Sequence, residues 1–366
     1  MHPLFSLWHS IQQKLFPYLE KENEPLTEKE KEFVRVVELA SIDKFLGPYR
    51  WVGNGRKPKD RKALARAFIA KAVWNFPNTV TLIDYLKASR TLRRLCGWEY
   101  ASSIPSKSTF SRAFEEFSKG QLPSLIHETM VCKSLVGKIV GHISRDATAI
   151  EAREKPVKKP KEEPQPAKRR GRPKKGEGQE KRKEPEFKRL DLQVGRSVQE
   201  NIVELPNQCD VGCKRNSKGH TESWIGYKLH LDVADGDIPV SALLTSASLH
   251  DSQVAIPLIQ MSSDRVKYLY DLADAAYDAP QIKGYSRLLG HVPIIDPNKH
   301  RKDAVPLEPA QKVRFKERSS AERVNSNLKD NYGGRFVRVR GAAKVLAHLM
   351  FGLVALTANQ LFSLLE

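Results

Sequence analysis

The chain of 366 residues carries 62 Lys and Arg against 43 Asp and Glu, for a net charge of +19, and 40% of its residues are hydrophobic. This length is enough for two domains with sizeable cores. Such a basic balance favours a polyanionic partner, nucleic acid before membrane, because neutralised phosphates release their counterions.

The cysteines and the N-terminus suggest the compartment. Four cysteines are too few for a disulfide framework in so long a chain, which favours a reducing compartment. Cys209, Cys213 and His220 suggest zinc, but their spacing offers no fourth ligand of the usual kind. The first residues contain no long apolar core, so we expect no secretory signal and a cytoplasmic, nucleoid-associated protein.

Residues 1–135 are predicted to form a helical domain. Apolar residues recur there at three- and four-residue spacing in four segments, 64–74, 80–88, 108–117 and 122–131. Basic residues, Arg112 among them, decorate these helices. The pattern suits a DNA-binding domain of the helix-turn-helix sort, and it also suits a solvated helical bundle.

Residues 138–150 change to the alternating period of a strand, and Asp146 lies towards its end. A carboxylate on a strand suited to burial is costly unless it is paired or bound to a metal. Asp146 is therefore a candidate functional residue.

Residues 153–189 are predicted to be a disordered basic insert. Lys and Arg far outnumber Glu there, prolines are frequent and apolar side chains are nearly absent, so burial cannot offset the entropy of ordering. Within it, Arg170-Gly171-Arg172-Pro173 resembles an AT-hook, in which an extended Arg-Gly-Arg enters a narrow minor groove. A merely solubilising linker is the alternative.

The second half of the chain predicts an α/β domain over residues 136–366. After the insert, the patterns read as a hairpin of two strands, a helix, a strand, a helix, a strand and a helix. Asp274 lies just past the carboxyl end of the strand predicted at 266–272. Residues 342–365 are apolar enough for a tail anchor, but His348, Asn359 and Gln360 interrupt them, which favours a buried helix.

The segment 315–329 is predicted to be one helix with two stripes of side chains, one charged and one apolar. At about 100° per residue, one stripe carries a carboxylate flanked by two cations. It consists of Phe315, Arg318, Glu322 and Lys329. The neighbouring stripe is apolar and would face a core. It consists of Ala321, Val324, Leu328 and Tyr332.

Three carboxylates thus stand on separate elements of the same domain: Asp146, Asp274 and Glu322. Gathered together, they would suit a pair of hard divalent cations such as Mg²⁺, which prefer oxygen ligands. Two such ions can stabilise both the attacking and the leaving oxygen of a phosphoryl transfer. Asp271 and Asp278 are rival candidates for the second carboxylate. Asp271 would point away from Asp274 by alternation, and Asp278 would begin a helix as its N-cap.

The sequence resembles the DDE-type transposases of bacterial insertion sequences, in particular the group with the Y-(2)-R-(3)-E-(6)-K signature. Phe315, Arg318, Glu322 and Lys329 reproduce that spacing, with Phe in place of the usual Tyr. Other segments also resemble the family, in the right order along nearly the whole chain. They are S-R-D-A-T around Asp146, T-S-A-S-L-H-D-S-Q at 245–253, D-A-A-Y-D at 274–278 and I-P-S-K-S-T-F-S-R at 104–112.

The resemblance implies an RNase H-like mixed sheet flanked by helices, with Asp146, Asp274 and Glu322 as the metal-binding catalytic triad. It implies two Mg²⁺ ions, with Mn²⁺ as a substitute, that serve cleavage at the element's ends and strand transfer into target DNA. Arg318 and Lys329 would bind phosphates of the transposon end, and the N-terminal helices would recognise the terminal inverted repeats. Synapsis of two ends implies at least a homodimer.

Two alternatives belong to other functional classes. One is a DNA-binding regulator that descends from a transposase and no longer cuts, and the other is a standalone metal-dependent nuclease. The three intact carboxylates argue against the regulator. The cations beside Glu322 and the basic N-terminal region argue against a simple nuclease.

Overall fold

The structure is a computed structural model that describes residues 3–22, 24–51, 53, 55, 57–157, 188–215, 219–298 and 305–365. The central part of the predicted basic insert, including Arg170 and Arg172, lies outside the described residues. The first residues of that insert are described and make contacts. Tyr227 donates a hydrogen bond to Glu154, and the amide of Val157 donates to the Cys209 carbonyl.

The N-terminal region contains eight α-helices within the described residues. They are α1 (Pro3–Ser10), α2 (Phe16–Glu22), α3 (Glu28–Ala40), α4 (Arg61–Val73), α5 (Thr79–Ala88), α6 (Arg90–Cys96), α7 (Lys107–Lys119) and α8 (Leu122–Ser134). Local chemistry begins several of them. Thr27 caps α3 in a capping box with Glu30, and Asn78 accepts hydrogen bonds from two amides of α5.

The rest of the described chain alternates strands and helices. The strands are β1 (Ile139–Glu151), β2 (Asp210–Arg215), β3 (Thr221–Ala234), β4 (Ile238–Ser246), β5 (Lys267–Ala273) and β6 (Val292–Ile295). The helices are α9 (Arg189–Gln193), α10 (Val198–Val203), α11 (Ala255–Arg265), α12 (Pro280–Leu288), α13 (Pro309–Phe315), α14 (Ser319–Asn331) and α15 (Ala342–Ser363).

The strands form one mixed sheet with β1 near its centre. β1 pairs antiparallel with β3 and parallel with β5, β5 pairs parallel with β6, and β2 and β4 both pair antiparallel with β3. A mixed sheet flanked by helices is consistent with the RNase H-like catalytic domain that the resemblance implies.

A buried charge network ties the three central strands together. Arg145 on β1 donates to Asp232 on β3 at 2.7 Å and lies 3.4 Å from Asp271 on β5, and all three side chains are at most 2% exposed. Ser262 on α11 donates to Asp232, and Ser286 on α12 donates to Asp271. One face of the sheet is therefore fastened to α11 and α12 through this ionic core.

Helix α15 is the apolar C-terminal segment, and it is buried in the protein. It is long and apolar enough to cross a membrane by length and composition, but 83% of its most apolar window is buried. It packs against α3, α4, α7 and α8 of the N-terminal region as well as β4 and α14. The helices of residues 1–135 and the sheet domain therefore share one hydrophobic core along α15.

Close packing between α14 and α15 requires a glycine. A Cβ at Gly352 would lie 2.4 Å from the Tyr332 carbonyl oxygen, closer than any side chain tolerates. Tyr332 and Asn359 both donate to the buried carboxylate of Glu32 on α3. These interactions fix α14, which carries Glu322, against the helical region.

Replacing Arg145 with Leu should lower the free energy of unfolding by about 3–5 kcal/mol, because two buried carboxylates would lose their counterion. Urea denaturation followed by circular dichroism measures the change. The exposed Arg338→Leu variant is the control and should stay within about 0.5 kcal/mol of the parent. A decrease below about 1 kcal/mol for Arg145→Leu would show that the network does not stabilise the sheet.

Candidate active site

Two of the predicted carboxylates, Asp146 and Asp274, lie near each other on the face of the sheet opposite the ionic core. The parallel pairing of β1 with β5 runs to Ser144 and Leu272. Asp146 and Asp274 each lie two residues further along their chains. Because side chains alternate along a strand, both point away from the face that holds Arg145 and Asp271.

Burial places both aspartates in an unfavourable setting for negative charge. It raises the pKa of Asp146 to about 6, and the neighbouring charge of Asp274 adds to the rise, while the Ala147 amide and Arg318 oppose it. Burial also raises the pKa of Asp274, with Asp251 and Asp296 adding negative charge nearby. Nearby positive charge does not fully offset the effect of burial on the two pKa values. A bound cation would stabilise the ionised carboxylates in this setting.

Helix α14 supplies the next contacts from its position over β1. Its predicted apolar stripe is buried, with Ala321, Val324 and Leu328 at most 1% exposed. The Asn325 amide donates to the Asp146 carboxylate at 3.0 Å. The docking of α14 therefore decides which polar groups reach the aspartates.

Arg318 contacts the third carboxylate and acts electrostatically on the two aspartates. Its guanidinium donates a short hydrogen bond to Glu322, and its charge lowers the pKa values of both Asp146 and Asp274 against the effect of burial. The guanidinium carbon also lies 5.9 Å from the centre of the Phe315 ring. Arg318 thus supplies positive charge to all three carboxylates.

The predicted single helix over 315–329 was wrong, because the structure divides it. Helix α13 ends at Phe315, a 3-10 turn spans Lys316–Arg318 and α14 begins at Ser319. Side chains bond the carbonyls of this turn: Ser144 donates to Glu317 at 2.9 Å, and Ser319 donates to Lys316 at 3.0 Å. The bond from Ser144 draws the turn onto β1, where Arg318 acts on Asp146 and Glu322 together.

The donor set can be compared with the needs of a divalent metal. The described residues include no group of three or more His, Cys, Asp or Glu side chains placed to hold an ion. Asp146 and Asp274 nevertheless fit a hard cation, since they are adjacent, desolvated carboxylates. The Glu322 side chain is 54% exposed and paired with Arg318. It would have to leave Arg318 before it could bind a cation together with the two aspartates.

The two rival carboxylates have structural partners instead. Asp271 belongs to the buried network with Arg145, on the face opposite Asp274, in agreement with the alternation argument. Asp278 is not the N-cap of α12, because Ala279 occupies that position. Its carboxylate pairs with Lys283 at 2.6 Å and accepts the Asn298 amide, which fastens the segment after β6.

Sequence reasoning missed three groups that influence the site. Asn325 lies three residues after Glu322 on α14, a spacing that places both on one side of a helix. Asp296 directly follows β6, as Asp274 follows β5, so the adjacent strand end was a usable signal. Asp251 raises the pKa of Asp274 from a turn before α11, and no local pattern marks that interaction.

The predicted DNA-binding residues fall in three places. Lys329 is half-buried on α14 and within the electrostatic influence of Asp146, and burial lowers its pKa. Arg112 is exposed on α7 and lines a groove of about 1080 Å³ together with Lys57 and Lys59. Arg170 and Arg172 lie outside the described residues.

Two protein-family models match the chain. A transposase domain (DUF772) matches residues 18–116, and a transposase DDE domain matches residues 202–358. No curated protein and no solved structure matches the chain. The two domain matches, in this order, support a DDE-type transposase. Asp274 and Glu322 lie inside the second match, and Asp146 precedes it.

The Asp146→Asn variant should be more stable than the parent at pH 8 without metal, by roughly 1–3 kcal/mol, since it removes a carboxylate whose pKa is raised by burial. The folded parent binds a proton more readily than its unfolded chain between pH 3.8 and about 6. The gain should therefore shrink as pH falls through this range.

Urea unfolding at several pH values tests the expectation, with the exposed Asp264→Asn as a control that should show no such trend. An Asp146→Asn protein no more stable than the parent at pH 8 would mean that Asp146 is not electrostatically disfavoured.

Proposed function

We propose that this chain is a DNA transposase that binds the terminal inverted repeats of an insertion sequence and catalyses metal-dependent cleavage and strand transfer. The observation that carries the proposal is the pair formed by Asp146 and Asp274. Two carboxylates, one on β1 and one just after β5, are half-buried on one face of the sheet, and the positive charge of Arg318 offsets the effect of burial on their pKa values only in part.

Asp146, Asp274 and Glu322 would hold Mg²⁺, two ions in the proposed arrangement, with Mn²⁺ as a substitute. The metal would supply an activated oxygen nucleophile and a counter-charge for the leaving oxygen. Among the described side chains, Asn325 would orient Asp146 through its 3.0 Å hydrogen bond. The parallel pairing of β1 with β5 supports this part of the proposal, because Asp146 and Asp274 each lie two residues beyond the last paired residue of their strand.

Arg318 and Lys329 would bind phosphates of the transposon end. A DNA phosphate would compete with Glu322 for the Arg318 guanidinium, whose planar fork suits a phosphate. Transfer of Arg318 to the DNA would free the Glu322 carboxylate and remove a cation that competes with the metal. DNA binding and the completion of the carboxylate triad would thus be linked through one side chain.

The partners in this proposal are the two transposon ends and the target DNA. The helices of residues 1–135, with Arg112 on an exposed face, would recognise the ends, and the basic insert with Arg170 and Arg172 would bind in the minor groove as well. Two ends held together imply a homodimer or a larger synaptic complex. Assignment to the Y-R-E-K group rests on the spacing from Phe315 to Lys329, where Phe keeps a ring beside Arg318 but lacks a hydroxyl.

A standalone metal-dependent nuclease is the second candidate. The same aspartate pair would serve a nuclease. A nuclease would not need the proposed exchange of Arg318 between Glu322 and the transposon end. Products distinguish the two proposals. A transposase joins the cleaved 3′ end to a target molecule, whereas a nuclease releases it.

The Glu322→Gln variant should cut end-containing supercoiled plasmid at least about 100-fold more slowly with Mg²⁺, because it lacks the third ligand charge. Its affinity for the same DNA should not fall below that of the parent, because a neutral amide competes less than the Glu322 carboxylate with DNA for Arg318. Nicking assays and gel-shift titrations measure the two properties. Glu317→Gln, in the same turn region, is the matched control and should cut normally. Cleavage by Glu322→Gln at the parental rate would remove Glu322 from the site.

Replacing residues 158–187 with an uncharged Gly/Ser linker of equal length should preserve the fold and weaken DNA binding. The slope of log K against log salt should become shallower by about 0.9 for each DNA phosphate that the insert neutralises in the parent. Circular dichroism checks the fold, and anisotropy titrations at several salt concentrations give the slope. An unchanged slope would show that the insert does not bind DNA.

A further inference from the structure

A small pocket lies where the N-terminal helices meet α15, and its lining carries positive charge. Its volume is about 120 Å³, several times the roughly 10–15 Å³ that one water needs. Its polar lining comes from Lys71 on α4, Thr79 on α5, Lys107 and Ser111 on α7, and His348 on α15. Within the described part of the chain, no carboxylate belongs to this lining.

Lys71 is the central group of this pocket. Its ammonium lies 3.4 Å from His348 Nδ1, and His348 Nε2 lies 2.9 Å from the Gly333 carbonyl oxygen. Since that carbonyl can only accept, Nε2 carries the imidazole proton and Nδ1 accepts from Lys71. Burial lowers the pKa of Lys71 to about 8, and burial together with Lys71 lowers that of His348 to about 3. Lys71 therefore gains a neutral acceptor but no charge partner among the described residues.

The surroundings strengthen this positive potential. Helix α7 has 13 residues and begins at Lys107, where Ser106 makes no capping hydrogen bond from its side chain. The partial positive charge of that helix end faces the region of Lys107. Four phenylalanine rings form the apolar part of the lining, and they lower the local polarity so that each charge acts more strongly. They are Phe68, Phe110, Phe114 and Phe351.

We propose that this pocket binds a phosphate group, supplied by the backbone of DNA. A tetrahedral anion there would provide counter-charge for Lys71 and Lys107 and would accept from the hydroxyls of Thr79 and Ser111. The pocket also includes Val339, whose two chain neighbours, Arg338 and Arg340, are exposed cations. The assignment to DNA rests on the proposed function, while the phosphate site itself does not.

The site is tested with inorganic phosphate added to the full chain in phosphate-free buffer. Phosphate should raise the melting temperature of the parent, and the apparent Kd from this titration should weaken about tenfold or more in Lys71→Met and Lys107→Met. Lys87→Met, at the far end of α5, is the matched control and should respond as the parent does. Without phosphate, Lys71→Met should melt higher than the parent, because a half-buried ammonium is removed from a setting that disfavours its charge.

Equal phosphate responses in the parent and both pocket variants would overturn the site, and so would the absence of any response in the parent. Lys107 is exposed, so its variant remains informative if Lys71→Met folds poorly.

A duplex DNA oligonucleotide identifies the source of the phosphate. If DNA supplies it, anisotropy titrations should show weaker duplex binding for Lys107→Met, by a factor similar to its weakening of phosphate binding. Duplex binding that stays unchanged while phosphate binding falls would overturn the DNA assignment and leave a site for a free phosphate. The phosphate titration requires neither metal nor cleavage, so a failure of the catalytic proposal would not be mistaken for a failure of this one.

Discussion

The ion pairs of Arg145 with Asp232 and Asp271 determine how the sheet is assembled. Each side chain comes from a different strand, and each is almost completely buried. A shift of one strand by a single residue would move its charged group to the opposite face and leave the others unpaired in a nonpolar setting. The network therefore specifies the register of β1, β3 and β5, with serines of α11 and α12 donating hydrogen bonds to the two carboxylates.

Asp146 follows Arg145 directly, so the register that buries the arginine also presents the aspartate on the other face. Asp274 lies three residues after Asp271, so the alternation of side chains likewise places these two aspartates on opposite faces. One face of the sheet carries charges that are paired within the buried network, and the other carries two carboxylates whose burial is offset only in part by positive charge. The destabilisation at Asp146 and Asp274 is tolerated because packing on both faces of the sheet holds the strands.

Helix α15 joins the two regions that match transposase domains. It is buried between the N-terminal helices and the sheet domain, and Glu32 on α3 receives hydrogen bonds from Tyr332 and Asn359. A force on the N-terminal helices would reach α14 through this shared core. The shared core therefore connects the N-terminal helices to the helix that carries Glu322.

Local patterns in the sequence were sufficient for much of this architecture. The three- and four-residue spacing predicted α4, α5, α7 and α8, and alternation predicted β1 and the hairpin of β3 and β4, because these periods reflect burial on one side of a single element. The short strand β2 was not predicted, since Gly212 and Cys213 interrupt its alternation. The apolar stripe on α14 was predicted, but the 3-10 turn before Ser319 was not, and one of its carbonyls accepts a hydrogen bond from Ser144, which lies 173 residues away in the chain.

The sequence alone determined which residues could carry the chemistry: aspartates at the ends of strands, and a glutamate flanked by cations at helical spacing. Only the tertiary structure decided which groups these residues contact. Asp271 pairs with Arg145, Asp146 accepts a hydrogen bond from Asn325, and Glu322 accepts one from Arg318. The physical reason is that periodicity records which side of an element is buried, whereas the partner of a charge depends on which distant strands and helices that side meets.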